Sequence, residues 1–141
     1  MTVLFPTEET IAAIATAVSV GQGGIAVVRI SGPAALKIGE RVVFIPGERA
    51  WRTHTVLYGH VMTQEGNEYI DEVLVIYMQG PRSFTGEDVV EIQCHGGLIA
   101  VQRVLDRVLS CSETRRALPG EFSQRAVLNG RLDLTQAEAI S

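Results

Sequence analysis

The chain has 141 residues, of which 46% are hydrophobic and 20% charged, a composition that suits a globular protein with a single core. Its formal net charge of −4 excludes a uniformly positive surface, and so a general electrostatic binder of nucleic acid, but permits a local basic patch. No apolar run approaches the roughly 20 residues that span a bilayer, and residues 7–10 are acidic rather than basic, so we predict a cytoplasmic protein without a signal peptide.

The first two segments differ in how strongly they predict a structure. In residues 10–16, the alanines and the acidic lead favour a helix, whereas the short length allows a buried strand, and local propensity leans to the helix. In residues 21–33, β-branched residues between a glycine-rich turn and a Gly-Pro stop predict a strand. Arg29 interrupts that apolar run. A cation inside a central strand is costly unless it meets an anion, so Arg29 is either a ligand group or one half of an internal ion pair.

The middle and the end of the chain alternate between strand and helix patterns. Helical spacing of apolar residues predicts helices over 34–44 and 98–111. A turn between two apolar runs predicts a hairpin of residues 55–63 with 71–78, and 114–118 is a candidate short strand. Hairpins mixed with helical crossovers predict an α+β fold, with a mixed, largely antiparallel sheet and covering helices.

Residues 83–97 combine a polar turn, an alternating strand and a diglycine corner. Alternation places the side chains on two faces, with Val90, Ile92 and Cys94 on one and Glu91, Gln93 and His95 on the other. One face is expected to pack while the other can bind. From these residues alone, a half-buried strand with a merely solvated polar face is the commoner interpretation.

The two cysteines, Cys94 and Cys111, have neither C-x-x-C spacing nor a secretory context, so we predict no disulfide. Cys94 and His95 are adjacent in a strand and point to opposite faces, and no second ligand pair follows. We therefore predict no metal site.

The last 23 residues change character. Residues 121–129 predict a short helix that Gly130 stops, and Asp133 followed by Gln136 resembles the capping box of another helix. That second pattern continues to the last residue without a stop signal, so we expect the chain to be a fragment that ends inside a helix. Residues 129–131 are predicted as the corner between the two helices.

Three strings resemble the N-terminal part of the MnmE family of tRNA-modification GTPases, also called TrmE. They are GGIAVVRISGP at 23–33, SFTGEDVVEIQCHGG at 83–97, and PGEF followed by LNGRLDLTQAEA within 119–139. Three strings in the same order at compatible spacings make the resemblance specific, and it covers nearly the whole chain. Two departures occur: residues 18–21 replace a common Pro-Pro-Gly run, and Leu118 stands where a polar residue is more usual.

The resemblance implies a domain organisation. Residues 1–118 would form a tetrahydrofolate-binding and dimerisation domain like the folate domain of the glycine-cleavage aminomethyltransferase, and 119–141 the truncated start of a helical domain. It also implies a strand, not a helix, at 10–16. The family's GTPase domain, with its GTP, Mg and K, would lie outside these residues, in which no G-x-x-x-x-G-K-[ST] string occurs.

The resemblance further implies three cofactor-binding residues and no catalytic ones. The family uses the arginine of the V-R-I-S-G strand, the glutamate of the V-V-E-I strand and the basic residue after Asn-Gly, which match Arg29, Glu91 and Arg131. The implied cofactor, 5-formyl-tetrahydrofolate, suits these types: a carboxylate accepts two hydrogen bonds from the pterin edge, and cations suit the glutamyl carboxylates. The alternative is that Arg29 and Glu91 pair with each other across neighbouring strands.

The implied partners are a second copy of the chain, the flavin-dependent protein MnmG and, indirectly, tRNA modified at its wobble uridine, U34. Two other functions are alternatives to this one. One is a free-standing folate-dependent one-carbon transferase, which would need a complete chain and a catalytic carboxylate. The other is a tRNA-binding module, for which Arg115, Arg116, Arg125 and Arg131 are the only local basic cluster, without interleaved aromatic residues.

Overall fold

The structure is a computed structural model that describes residues 9–15 and 26–130. Seven strands form one sheet in the order β3-β4-β5-β6-β2-β1-β7. Every neighbouring pair is antiparallel except β1 with β7, which is parallel. The elements are β1 (Thr10–Ile14), β2 (Ala26–Ser31), α1 (Ala35–Val42), β3 (Val43–Phe44), β4 (Thr55–Met62), β5 (Tyr69–Met78), β6 (Val89–Cys94), α2 (Gly97–Leu109), β7 (Thr114–Arg116) and α3 (Glu121–Leu128). The predicted α+β class with a mixed, largely antiparallel sheet is confirmed.

The main core lies on one face of this sheet, under α1 and α2. Alternate residues of the strands enter it, as Val28 and Ile30 of β2 and Ile92 of β6 do without any exposed surface. The apolar stripe of α2 packs on them through Val101, Val104, Leu105 and Val108. The alternation predicted for β6 is confirmed, because Val90, Ile92 and Cys94 are buried while Glu91 and Gln93 are partly exposed.

The opposite face of the sheet, here called the open face, carries Arg29, Ser31 and Glu91. Helix α3 packs over the part of it formed by β2 and the segment before β6, through contacts of Arg125 and Phe122. Farther along, on β4, the open face is uncovered in the part of the chain that the structure describes: Val56 is 56% exposed and Tyr58 47%.

The helix that local propensity favours for residues 10–16 is wrong over the described part. Residues Thr10–Ile14 form a strand, as the family resemblance implied, that pairs with β2 on one side and β7 on the other. Ile11 and Ala12 are completely buried. Two neighbouring strands supply hydrogen-bond partners for this backbone, and tertiary pairing of this kind overrides the helix propensity of alanine.

Helix α1 is shorter than predicted. It ends at Val42, and Val43 and Phe44 pair with Val61 and His60 as strand β3. The backbones of β3 and β4 approach each other closely here, and a Cβ atom at Gly59 would lie only 2.6 Å from the carbonyl oxygen of Phe44. The predicted hairpin is confirmed as β4 and β5, the candidate strand at 114–118 as Thr114–Arg116, and the helix stopped by Gly130 as α3. The predicted second C-terminal helix and the predicted glycine-rich turn before β2 lie outside the described residues.

Candidate ligand-binding site

The strand register brings two of the three predicted site residues together. Arg29 of β2 lies directly opposite Glu91 of β6, and its Nε donates a hydrogen bond of 2.8 Å to Glu91 Oε2. Their side chains are 20% and 19% exposed, so the pair is only partly removed from water. The pairing considered as the alternative is therefore observed.

The pair leaves hydrogen-bonding capacity unused. Within residues 9–15 and 26–130, the terminal nitrogens of Arg29 donate no hydrogen bond and Glu91 Oε1 accepts none. A guanidinium carries five N–H donors and a carboxylate several acceptor positions. The pair can thus present donors and an acceptor side by side to a third group, and pairing and ligand contact are compatible.

Two aromatic rings flank the Arg29 guanidinium. Its Cζ lies 5.0 Å from the centroid of the Phe84 ring and 5.2 Å from that of Phe122. Both distances are within the roughly 6 Å over which a cation is attracted to the face of an aromatic ring. Phe84 comes from the segment between β5 and β6 and Phe122 from the first turn of α3, so three separate parts of the chain form this cluster.

Arg29 and both rings line a cleft of about 550 Å³ on the open face. The end of β1, the last residue of β7 and the loop of residues 117–120 form most of the remaining walls. Small-molecule sites fall in the range of roughly 300 to 1,000 Å³, with apolar walls and a few polar groups, and the cleft fits that description. Gly120, with φ of 76°, turns the loop into α3 and so places Phe122 at the cleft.

A larger cleft of about 800 Å³ lies elsewhere, beside the C-terminal ends of α1 and α2. Two of its three arginines have structural tasks: both terminal nitrogens of Arg41 bind the carboxylate of Glu113, and Arg107 donates to the carbonyl oxygen of Met62. Cations are also favourable at helix C-termini because of the helix dipole. We therefore prefer the smaller cleft, which contains Arg29, as the candidate site.

A buried ionic network holds α3 above this cleft. Arg125 is 1% exposed, and its Nη1 lies 3.0 and 3.1 Å from the two carboxylate oxygens of Glu87. The carboxylate of Glu121, also buried, accepts two hydrogen bonds from Arg115, at 2.9 and 2.7 Å, and one from the backbone N–H of Leu118. Burial alone would raise the pKa of Glu121, but these hydrogen bonds outweigh it and lower that pKa below its ordinary value.

This network engages two of the four arginines of the predicted basic cluster in ion pairs. Arg125 is buried, and Arg115 is paired with Glu9 at 3.2 Å and with Glu121 at 2.7 Å. Cations already bound to carboxylates offer little to phosphate groups. In the described part of the chain, the interpretation as a tRNA-binding module therefore retains one exposed arginine of this cluster, Arg116.

Sequence reasoning missed several residues of the site and could not place one that it named. Arg131 lies outside the described residues. Phe84 belongs to the singled-out turn, but nothing in the sequence relates it to Phe122, 38 positions later. No group of three or more His, Cys, Asp or Glu suited to a metal occurs within residues 9–15 and 26–130, and Cys94 and Cys111 are free and buried. Burial raises the pKa of the Cys94 thiol to about 12.

Comparison with known proteins places the chain in a family. Residues 10–131 match the family described as "GTP-binding protein TrmE N-terminus". The chain belongs to the TrmE N-terminus family. One relative, from Prochlorococcus marinus (strain MIT 9303), is 74% identical over 136 residues, 96% of this chain and 29% of the relative. Another, from Synechococcus sp. (strain WH7803), is 70% identical over 133 residues, 94% of this chain and 29% of the relative.

Both relatives are named "tRNA modification GTPase MnmE", as is a third, from another strain of Prochlorococcus marinus, which is 62% identical over all 141 residues. This TrmE N-terminus chain spans between 29% and 31% of the length of these curated relatives. The family resemblance inferred from three short strings is therefore confirmed. Among the residues that the structure describes, no helix is both long and apolar enough to cross a membrane.

Proposed function

We propose that this chain is the folate-binding and dimerisation module of a tRNA-modification GTPase of the MnmE family. The observation that carries the proposal is the partly exposed Arg29–Glu91 pair beside the aromatic-walled cleft. The paired strands bring these two residues together at the positions that the resemblance marks as cofactor-binding. When bound, 5-formyl-tetrahydrofolate would supply the one-carbon unit for the wobble-uridine modification made with MnmG.

The cleft and the Arg29–Glu91 pair beside it suit a folate on three physical grounds. Phe84 and Phe122 offer apolar faces to an aromatic ring system, and Arg29 offers donors to a carboxylate or a carbonyl oxygen. The free oxygen of Glu91 offers an acceptor to the N–H groups of a pterin edge. Arg131 directly follows the turn that ends α3, and we assign it as the third contact on the family resemblance alone.

The assignment is tested by a double-mutant cycle on Arg29 and Glu91. Glu91→Gln keeps the size of the side chain but loses its charge, and one charge-assisted hydrogen bond is worth about 1.5 to 3 kcal/mol, so 5-formyl-tetrahydrofolate should bind about 10- to 100-fold more weakly. Arg29→Ala should lower affinity and melting temperature together, because it removes both the ligand donor and the packing against two rings.

The cycle is read twice, by thermal melting and by calorimetric titration with the folate. Coupling between the two substitutions in the melt is expected because they are hydrogen-bonded. Arg103→Ala, an exposed arginine on α2 on the other side of the sheet, is the matched control and should change neither readout. Strong coupling in the melt with the same folate affinity in every variant would leave the pair as architecture and overturn the assignment.

A further inference from the structure

Strand β2, helix α3 and the segment between β5 and β6, which together form the Arg29 site, meet at a single carboxylate, that of Glu87. Ser31, two residues beyond Arg29 on the same face of β2, donates to Glu87 Oε1 at 2.8 Å. Arg125 of α3 binds both carboxylate oxygens. Glu87 itself belongs to the segment between β5 and β6 that carries Phe84. Its side chain is only 14% exposed.

The contacts at the Glu87 carboxylate form a junction, and only a few residues separate this junction from each of the two aromatic rings. Phe122 and Arg125 are three residues apart in α3 and so lie on the same side of that helix. Phe84 stands between two buried residues that tie its segment down: Ser83 donates to the carbonyl oxygen of Glu87, and the Thr85 hydroxyl lies 2.7 Å from Ser31 Oγ. Asn129, beyond the end of α3, donates to the carbonyl oxygen of Thr85 at 2.9 Å and ties the same two segments together.

We propose that Glu87 is a positioning residue of the Arg29 site, which fixes Phe84 and Phe122 next to the guanidinium without touching the ligand. Arg29 and both rings line the cleft, whereas Glu87, Arg125 and Glu91 do not. Unlike Glu91, Glu87 has both carboxylate oxygens occupied by protein donors, so it has little to offer a ligand. The segment that carries Phe84 has no strand pairing of its own. Apart from turn hydrogen bonds within it and one backbone hydrogen bond from Gly32 to Asp88, these side-chain contacts fix its place. The residues of a binding site must be held to within about half an ångström of their productive positions, and rings on an unanchored segment would not be held so closely. The effect on the ligand rests on the folate function proposed above, but the effect on the rings does not.

The test follows the rings directly by ¹⁹F NMR of protein labelled with fluorophenylalanine. The chain contains four phenylalanines, at positions 5, 44, 84 and 122, so four resonances are expected and each is assigned with a Phe→Leu variant. Glu87→Gln is the main variant, because it removes the charge that faces Arg125 and keeps an acceptor oxygen for Ser31. Ser31→Ala is a milder second variant at the same junction. Glu113→Gln is the control, because it breaks a similar Arg–Glu pair away from the cleft, that with Arg41.

Well below the melting temperature, Glu87→Gln should shift or broaden the Phe84 and Phe122 resonances while leaving that of Phe44 in place. Affinity for 5-formyl-tetrahydrofolate should fall roughly 5- to 10-fold, within the range usual for coupling between residues that do not share a contact. Ser31→Ala should produce smaller changes of the same kind, and it carries the test if Glu87→Gln does not fold. Glu113→Gln should move neither ring.

Unchanged resonances of both rings in a folded junction variant would overturn the positioning role, even if that variant melts earlier. Unchanged folate affinity with displaced rings would overturn it as well, provided that the wild type binds. If the wild type does not bind the folate, the proposed function fails, and the resonances alone then decide whether Glu87 holds the rings.

Discussion

The carboxylate of Glu121 is almost completely buried, yet it is ionised at neutral pH because arginines surround it. Arg115 and Leu118 donate to it directly, and Arg125 Nη2 lies 3.5 Å from Oε2. A buried charge of this kind is tolerated only while its partners remain, and removing one member of a buried pair typically costs about 3 to 5 kcal/mol. Glu121 therefore makes the attachment of α3 dependent on pH.

Stability should fall in acid partly through this residue. The folded-state pKa of Glu121 lies below its ordinary value of 4.5, so its contribution is fully present above pH 4.5 and is lost as the pH falls from there through the folded-state pKa. Urea unfolding between pH 7 and pH 3 should show this loss. Glu121→Gln should lower the free energy of unfolding at pH 7 by about 3 kcal/mol and flatten the acid slope. Glu65→Gln, on the exposed β4–β5 turn, serves as control and should keep the wild-type acid slope. A wild-type acid slope in Glu121→Gln would contradict the assignment.

At the scale of single residues, the sequence identified the groups whose types conflict with their surroundings. Arg29 was recognisable because a cation inside an apolar strand needs a partner, and Glu91 because alternation placed it off the core face. Arg125 was not recognisable. A helical pattern shows which residues share a face, but it does not show that Glu87, 38 positions earlier, lies against that face. For this reason the sequence places Arg125 in the predicted basic cluster, although the residue is buried.

At the scale of elements, β1 also determines where α1 begins. The helix has no side-chain cap of its own: Ala34 is its N-cap, and the backbone N–H of Ala34 donates instead to the hydroxyl of Thr10 at 2.8 Å. Thr10 is 2% exposed, so water does not readily replace it. One side chain of the second-last strand of the sheet thus completes the first turn of a helix 24 positions later.

Thr10→Val should test this link, since valine has nearly the same shape but no hydroxyl. It leaves the Ala34 N–H without an acceptor, which should cost about 1 to 3 kcal/mol, and amide exchange should accelerate first in the initial turn of α1. Thr55→Val, at an exposed hydroxyl that donates to Arg52, should change stability by no more than about 0.5 kcal/mol. Equal stability of the two variants would show that the Thr10 hydroxyl does not cap α1.

The type of most elements followed from the sequence, and the errors occurred where distant segments decide. Strands β2, β4, β5 and β6 carry β-branched runs bounded by turn residues, which local rules recognise. β1 is rich in alanine and becomes a strand only between β2 and β7. Likewise, the last two residues predicted for α1, Val43 and Phe44, are not helical because they pair with β4.

At the scale of the whole molecule, the uncovered part of the open face bears on the proposed dimer. Val56 is 56% exposed and Tyr58 is 47% exposed, both on β4. On the neighbouring strand β5, the outward residues Leu74 and Ile76 are also apolar and partly exposed. Contiguous exposed apolar surface of this kind favours association. A symmetric dimer places the same patch of both copies in contact, so one substitution acts twice.

Sedimentation velocity at tens of micromolar should therefore show a dimer that dissociates on dilution. Val56→Arg should shift the wild-type equilibrium to the monomer, because it places two like charges in a desolvated contact. Ile99→Arg replaces an even more exposed residue, at 79%, on α2 on the opposite side of the sheet, and should leave the dimer intact. A monomeric wild type, or equal effects of the two variants, would contradict the proposed dimer or its location.

The parallel pairing of β1 with β7 has a consequence for the order in which the chain can fold. It joins Thr10 to Thr114, so β1 waits for a segment that is synthesised 104 residues later. The β4–β5 hairpin is local and can form early, whereas closing the long loop between β1 and β7 is entropically costly and slow. Until then β1 presents an unpaired edge on which another strand could add. The candidate site stands at that late-closing end, so the cleft exists only after nearly all of the described chain has been made.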